Sequence, residues 1–187
     1  MLSLAEVQRA LTGAWLLALR DPRAFEWFDL TVEGFWRSFW AAAVAAPLYL
    51  FLAIHEFALT GWPAEPVWTF LVRAVAYALD WALFPLVALV LVRLADLGHR
   101  YVVYIVANNW ATVLQLAAFA ATVALATLLP DALGSILVLA ALATVLAYRW
   151  LVARQALATT GAIATAFVLV DLVLGLLLDR LARGFLV

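Results

Sequence analysis

Cysteine is absent from this 187-residue chain. That removes disulfides, thiolate metal sites and thiol nucleophiles together. Lysine is absent as well, so all eleven basic residues are arginine; with the heavy use of Ala and Leu, this reads as a GC-rich bacterial genome. The only two histidines, His55 and His99, fall at opposite membrane faces in the span assignment below, so a His-based metal cluster is not expected. Serine is confined to Ser3, Ser38 and Ser135, none of them in a nucleophile-elbow setting. Gly161 and Gly175 are isolated, and no phosphate-cradling loop surrounds them. His55-Glu56 begins like a zincin motif, but Leu59 stands where the second His is required. A net charge of −1 leaves no basic surface to hold nucleic acid. The expectation is therefore a non-enzymatic protein with no catalytic residues, no cofactor site and no metal site.

What the chain has in excess is apolar surface. Hydrophobic residues make up 69% of it and charged residues 12%, and its mean hydropathy is +1.09. A soluble domain carries ~45–50% apolar and ~25% charged residues, so water cannot be the main solvent here. Lipid is.

A helix needs ~20 mainly apolar residues to cross the hydrocarbon core. Five segments qualify: Trp36 to Ile54, Val67 to Leu94, Tyr101 to Pro130, Ala132 to Trp150, and Gln155 to Leu178. Pro47 is expected to kink the first, a defect that membrane helices tolerate. The fold class is thus all-α: a polytopic membrane protein in which residues 1–34 form a segment on the cytoplasmic side and 35–187 the five-helix domain. Arginine alternates between the connections. Arg9, Arg20, Arg23 and Arg37 precede the first span, Arg93 and Arg100 follow the second, and Arg149 and Arg154 follow the fourth. The connections after the first and third have none. This pattern places the N-terminus in the cytoplasm and the C-terminus in the periplasm of a bacterial inner membrane, with Arg180 and Arg183 dissenting. Trp27, Trp36, Trp40 and Trp150 fall at the inner interface and Trp62 and Trp68 at the outer one, as an aromatic belt requires.

Residues 3–20 form a separate helix. Ser3-x-x-Glu6 is a capping box. Leu4, Val7, Leu11 and Trp15 recur on one face, opposite Gln8, Arg9 and Thr12, and Asp21-Pro22 ends the element. An amphipathic helix lying in the interface fits this pattern better than a cleaved signal peptide.

Charges at membrane depth cost ~2.5–3.5 kcal/mol each on insertion scales, so they turn toward protein or water. Arg73, Tyr77 and Asp80 share one face of the second span, and Asn108, Thr112 and Gln115 share one face of the third. Asp171 lies in the fifth. Depth matching pairs Arg73 with Asp171 in the outer third, and Asp80 with Gln115 near the midplane. Ala158, Ala162 and Ala166 make a small-residue track on the fifth span that permits close packing. Spans two, three and five are expected to form an inner bundle, with one and four as lipid-facing cover. Both interhelical glue and a proton, ion or substrate pathway are consistent with such a network.

Phe35-Trp36-Arg37-Ser38-Phe39 entering the first span, and Ala107-Asn108-Asn109-Trp110 early in the third, resemble bacterial relatives of the Yip1 family of five-span membrane proteins. That resemblance implies an organising membrane protein, a scaffold or accessory component. Eukaryotic members carry an Asp-Leu-Tyr-Gly-Pro-type segment and work with small GTPases; this chain lacks the segment, so that partner does not carry over. The expected partners are the lipid bilayer and a protein held through the N-terminal helix or an apolar flank. Two alternatives stand beside the scaffold: a small transporter or channel with a polar pathway at Asp80, and an auxiliary subunit of a larger membrane complex.

Overall fold

The computed structural model describes residues 3–186, and among these there is no β-strand. Five segments are long and apolar enough to cross a membrane: Val32–Thr60, Pro66–Leu94, Gly98–Ala126, Asp131–Ala156 and Gly161–Gly184. The chain is an all-α polytopic protein whose apolar helix faces meet lipid.

Helix α1 (Leu4–Ala18) opens on the expected capping box. The Ser3 hydroxyl accepts from the Glu6 N–H at 3.2 Å, and the Glu6 carboxylate accepts from the Ser3 N–H at 2.7 Å. Arg20 takes a left-handed conformation (φ 60°) to turn the chain. A 3₁₀ segment, Pro22–Trp27, then folds back on α1. The return passes so close that a Cβ at Gly13 would sit 3.0 Å from Phe28.

The face that α1 buries is not its bulky one. Ala10, Gly13, Ala14 and Leu17 are buried, while Leu4 and Trp15 are exposed. Small residues let α1 press its backbone onto the protein beside the buried Leu17, with Val7, Leu11 and Leu16 half-buried at the edges. The Tyr148 hydroxyl donates to the Ala14 carbonyl at 2.5 Å, and Gln155 Nε2 donates to that of Leu17 at 3.3 Å. The N-terminal segment is thus docked across one end of the bundle.

Thr31 caps α2 (Val32–Ser38), accepting from the Gly34 N–H at 3.0 Å. A Cβ at Gly34 would collide with the Asp29 carbonyl oxygen, so this close approach needs glycine. The boundary between residues 34 and 35 falls inside α2. A break at Phe39 separates it from α3 (Trp40–Thr60), which contains Pro47. Gly61 (φ 99°) and the first-turn Pro66 lead into α4 (Pro66–Leu94). Then come α5 (Tyr101–Ala126), α6 (Asp131–Ala156) and α7 (Gly161–Gly184).

The expected inner bundle is not the one that forms. α5 is the central helix and packs most extensively against α6 and α3, whereas α4 packs chiefly against α7. Backbone proximity explains this. Ala107 and Ala111 on α5, Ala41 and Ala45 on α3, and Ala153 and Ala156 on α6 are all fully buried in one core. Small residues bring these helices together more effectively than the polar stripes do. The anticipated alanine track on the last span plays no such part, because Ala158 lies in the α6–α7 turn (φ 48°) and Ala162 and Ala166 are exposed. α7 buries Ala164 and Phe167 instead. α6 does keep a lipid-facing character in its first half, where Leu133, Ile136, Leu139 and Leu142 are exposed.

Candidate functional site

Four helices converge on Arg149, a residue of α6 that the sequence places among the loop charges. Its guanidinium pairs through Nη1 with Asp171 of α7. Its Nε donates to Gln115 Oε1 of α5 at 3.1 Å. Asp80 of α4 lines the same cavity of about 30 Å³ as Arg149 and Asp171, with Asn108, Asn109 and Thr112 completing its polar wall. At 1.5 Å per residue Arg149 lies ~10 Å from the end of α6, and Asp171 ~15 Å from the start of α7. Charges at such depths are held by protein, not by the headgroup region.

The structure thus brings Asp80, Asn108, Thr112, Gln115 and Asp171 together around an arginine, and redistributes the expected pairs. Arg73 does not meet Asp171. It binds Glu56 of α3 at 2.8 Å and lies over the Phe57 ring at 4.7 Å. Asp80 does not bond Gln115, whose carbonyl oxygen is taken by Arg149. Tyr77 donates to the Ala42 carbonyl at 2.7 Å and stacks against Tyr49, tying α4 to α3. Thr112 donates within its own helix, to the Asn108 carbonyl at 2.9 Å.

The cause of the re-pairing is helix length. α6 runs on to Ala156, past the expected end at Trp150, and α7 begins only at Gly161. Arg149 is thereby drawn into the membrane, and Asp171 sits near mid-helix rather than in the outer third. Trp150 fixes the new turn, donating from its indole to the Gly161 carbonyl and the Thr165 hydroxyl, each at 3.1 Å.

Three cavities share walls in series, starting from the end of the bundle opposite the N-terminal segment. The first, about 600 Å³, includes Glu56, Arg73 and Arg183. The second, about 240 Å³, shares Arg73 and Arg183 with it and continues past Tyr77 to Asp80, Thr112 and Arg149. The third is the small central cavity, which shares Asp80, Thr112 and Arg149 with the second. Asn109 of this central cavity donates from Nδ2 to the buried Ser38 hydroxyl at 2.9 Å. Ser38 in turn lines a cavity of about 350 Å³ under the N-terminal segment, with Glu6, Arg9, Asp29 and Arg37 around it.

Charges at that end are paired locally. Hydrogen bonding to Ser3, backbone first, and the nearby Arg37 lower the pKa of Glu6. Arg23 holds the Asp21 carboxyl down to about 2 through its side-chain and backbone hydrogen bonds. The Thr31 hydroxyl and N–H lower that of Asp29. These groups stay ionised through the physiological range and fasten the segment to itself and to α2.

Among the described residues no three His, Asp or Glu side chains form a metal-ligand group. Compared with known protein families, curated proteins and solved structures, the chain matches none of them.

Proposed function

We propose that this chain is a non-enzymatic, multi-pass protein of a bacterial inner membrane that admits a small polar or charged species from the periplasmic side to a charged cluster at Asp80, Arg149 and Asp171. In this reading the N-terminal segment is cytoplasmic and the C-terminus periplasmic, which the alternation of arginine between connections supports. The carrying observation is the series of cavities that ends on those three residues. A purely structural ion pair needs no such approach, since a dry, fully paired contact holds helices together more cheaply.

The absence of cysteine makes a direct test available. Thr112→Cys and Tyr77→Cys, each the sole thiol in its variant, are expected to react with a membrane-impermeant maleimide added to the periplasmic face. Val75→Cys on the exposed apolar face of α4 is expected not to react. No labelling at position 112 under conditions that label Ala64→Cys in the exposed connecting loop removes the pathway.

A scaffold of Yip1-like architecture is the second reading. It is favoured by the row of exposed Leu4, Trp15, Trp27 and Trp36 around the docked N-terminal segment, an apolar surface that a protein or lipid would cover. Under that reading Trp15→Glu abolishes recovery of a partner after crosslinking in native membranes and leaves thiol labelling of the cavity unaffected.

A further inference from the structure

Once Arg149 is bonded to Asp171 and Gln115, the central cluster holds a carboxylate in excess. Among the described residues no hydrogen bond or salt bridge reaches Asp80, although it lines the same small cavity as both charged partners. We propose that Asp80 is a proton-binding site and that Arg149 exchanges between Asp171 and Asp80 as the proton binds and leaves. This deepens the pathway reading and rests on it, naming the proton as the species that reaches the end of the cavities.

The charge arithmetic is the first support. An arginine keeps its charge at any physiological pH. With both carboxylates ionised the cluster carries −1, and with one of them protonated it is neutral, the cheaper state inside a membrane. Deeper along the approach the charged groups are paired, Arg73 with Glu56 and Arg183 with Asp179 and Glu56, while Glu65 lies exposed in the first cavity. The remaining groups around Asp80 are neutral. They are Tyr49 on α3, Tyr77 and Trp81 on α4, and Asn108, Asn109 and Thr112 on α5, with Tyr104 of α5 buried against Phe84.

Size is the second support. A cavity of about 30 Å³ has room for about one water. A larger solute is held in the cavity of about 240 Å³ before it, which Asp80 also lines. Between Asp80 and Asp171, in the small cavity, only a proton or the water that carries it fits.

Gln115 supplies a third, independent observation. It is 4% exposed, its Oε1 accepts from Arg149, and its Nε2 is buried with no hydrogen-bond partner. A bare buried donor costs ~1–3 kcal/mol, a cost that a second arrangement of the cluster would relieve. When Arg149 turns to an ionised Asp80, the amide can rotate so that Nε2 donates to the Asp171 carboxylate. The step balances simply. A proton from hydronium adds to an Asp80 carboxylate oxygen, the donor's O–H bond breaks and leaves one water, and the guanidinium keeps all its protons.

The test is infrared difference spectroscopy of the full chain in lipid, stepped across the acid-to-neutral range in H₂O and D₂O. A protonated-carboxyl band that titrates, shifts in D₂O and is missing from Asp80→Asn is the expected result. If that variant does not fold, Asp80→Glu is expected to move the band. In Asp171→Asn, Arg149 is released to Asp80, and the band is expected to weaken at a pH where the unaltered chain shows it. No titrating band, or one that survives Asp80→Asn or is unmoved in Asp80→Glu, overturns the proton site; a band unchanged in Asp171→Asn overturns the exchange. Labelling of Thr112→Cys with no such band removes the proton and leaves the pathway, whereas absence of labelling removes the pathway itself.

Discussion

Two charged clusters lie along the same line of cavities and differ in one respect. At the end opposite the N-terminal segment, Arg73 and Arg183 face Glu56 and Asp179, two cations against two carboxylates, with contacts of 2.8, 2.8 and 3.4 Å joining them. At mid-membrane a single arginine faces two carboxylates. The balanced cluster lies nearer the helix ends, the Arg183 side chain being 58% exposed. The unbalanced one lies where charge is most costly. Were both clusters only structural, the deeper would be expected to be the better compensated. The inversion is what turns attention from adhesion to chemistry.

Substitutions at the two clusters should break or sharpen this contrast. Arg149→Met leaves two carboxylates without a cation, and loss of one partner of a buried pair costs ~3–5 kcal/mol. Thermal unfolding in detergent should show the largest drop of the series, largely restored by the double change Arg149→Met with Asp171→Leu. Arg73→Ala loses the Glu56 pair and its place over Phe57, together about 1–2 kcal/mol, read in the same assay. Arg183→Ala removes exposed contacts worth under ~1 kcal/mol, and the difference should vanish in high salt. Asp80→Asn is expected to leave stability unchanged or to raise it, because this carboxylate pairs with nothing among the described residues. A clear loss of stability in Asp80→Asn would make the excess carboxylate structural and erase the contrast.

The spans and their polar residues were legible from composition and helical phase, because both depend on neighbours a few residues apart. The capping box at Ser3 and Glu6 was equally local. The partnerships were not, since depth is counted from helix ends and one end was misread. Leu157-Ala158-Thr159-Thr160 makes the α6–α7 turn without Gly or Pro, with a left-handed Ala158 and a Thr160 cap on the Ile163 N–H. Nothing in that tetrapeptide outweighs the apolar run around it. Starting α7 at Gly161 in place of Gln155 moves every residue on it by ~9 Å. That shift is enough to exchange Arg73 for Arg149 as the partner of Asp171. The docking of α1 on α5 and α6 was not legible either, because it runs through small residues, Ala10, Gly13 and Ala14, that carry no strong periodic signal.

The fastening of α1 also bears on how the protein is made. Its carbonyls at Ala14 and Leu17 are held by Tyr148 and Gln155, from a helix more than a hundred residues later in the chain. The seat of this segment, begun by α5 of the third span, is therefore not complete until the fourth span has been inserted. Until then the carbonyls that α6 will hold need another partner, and a segment early in the sequence settles only after ones far beyond it.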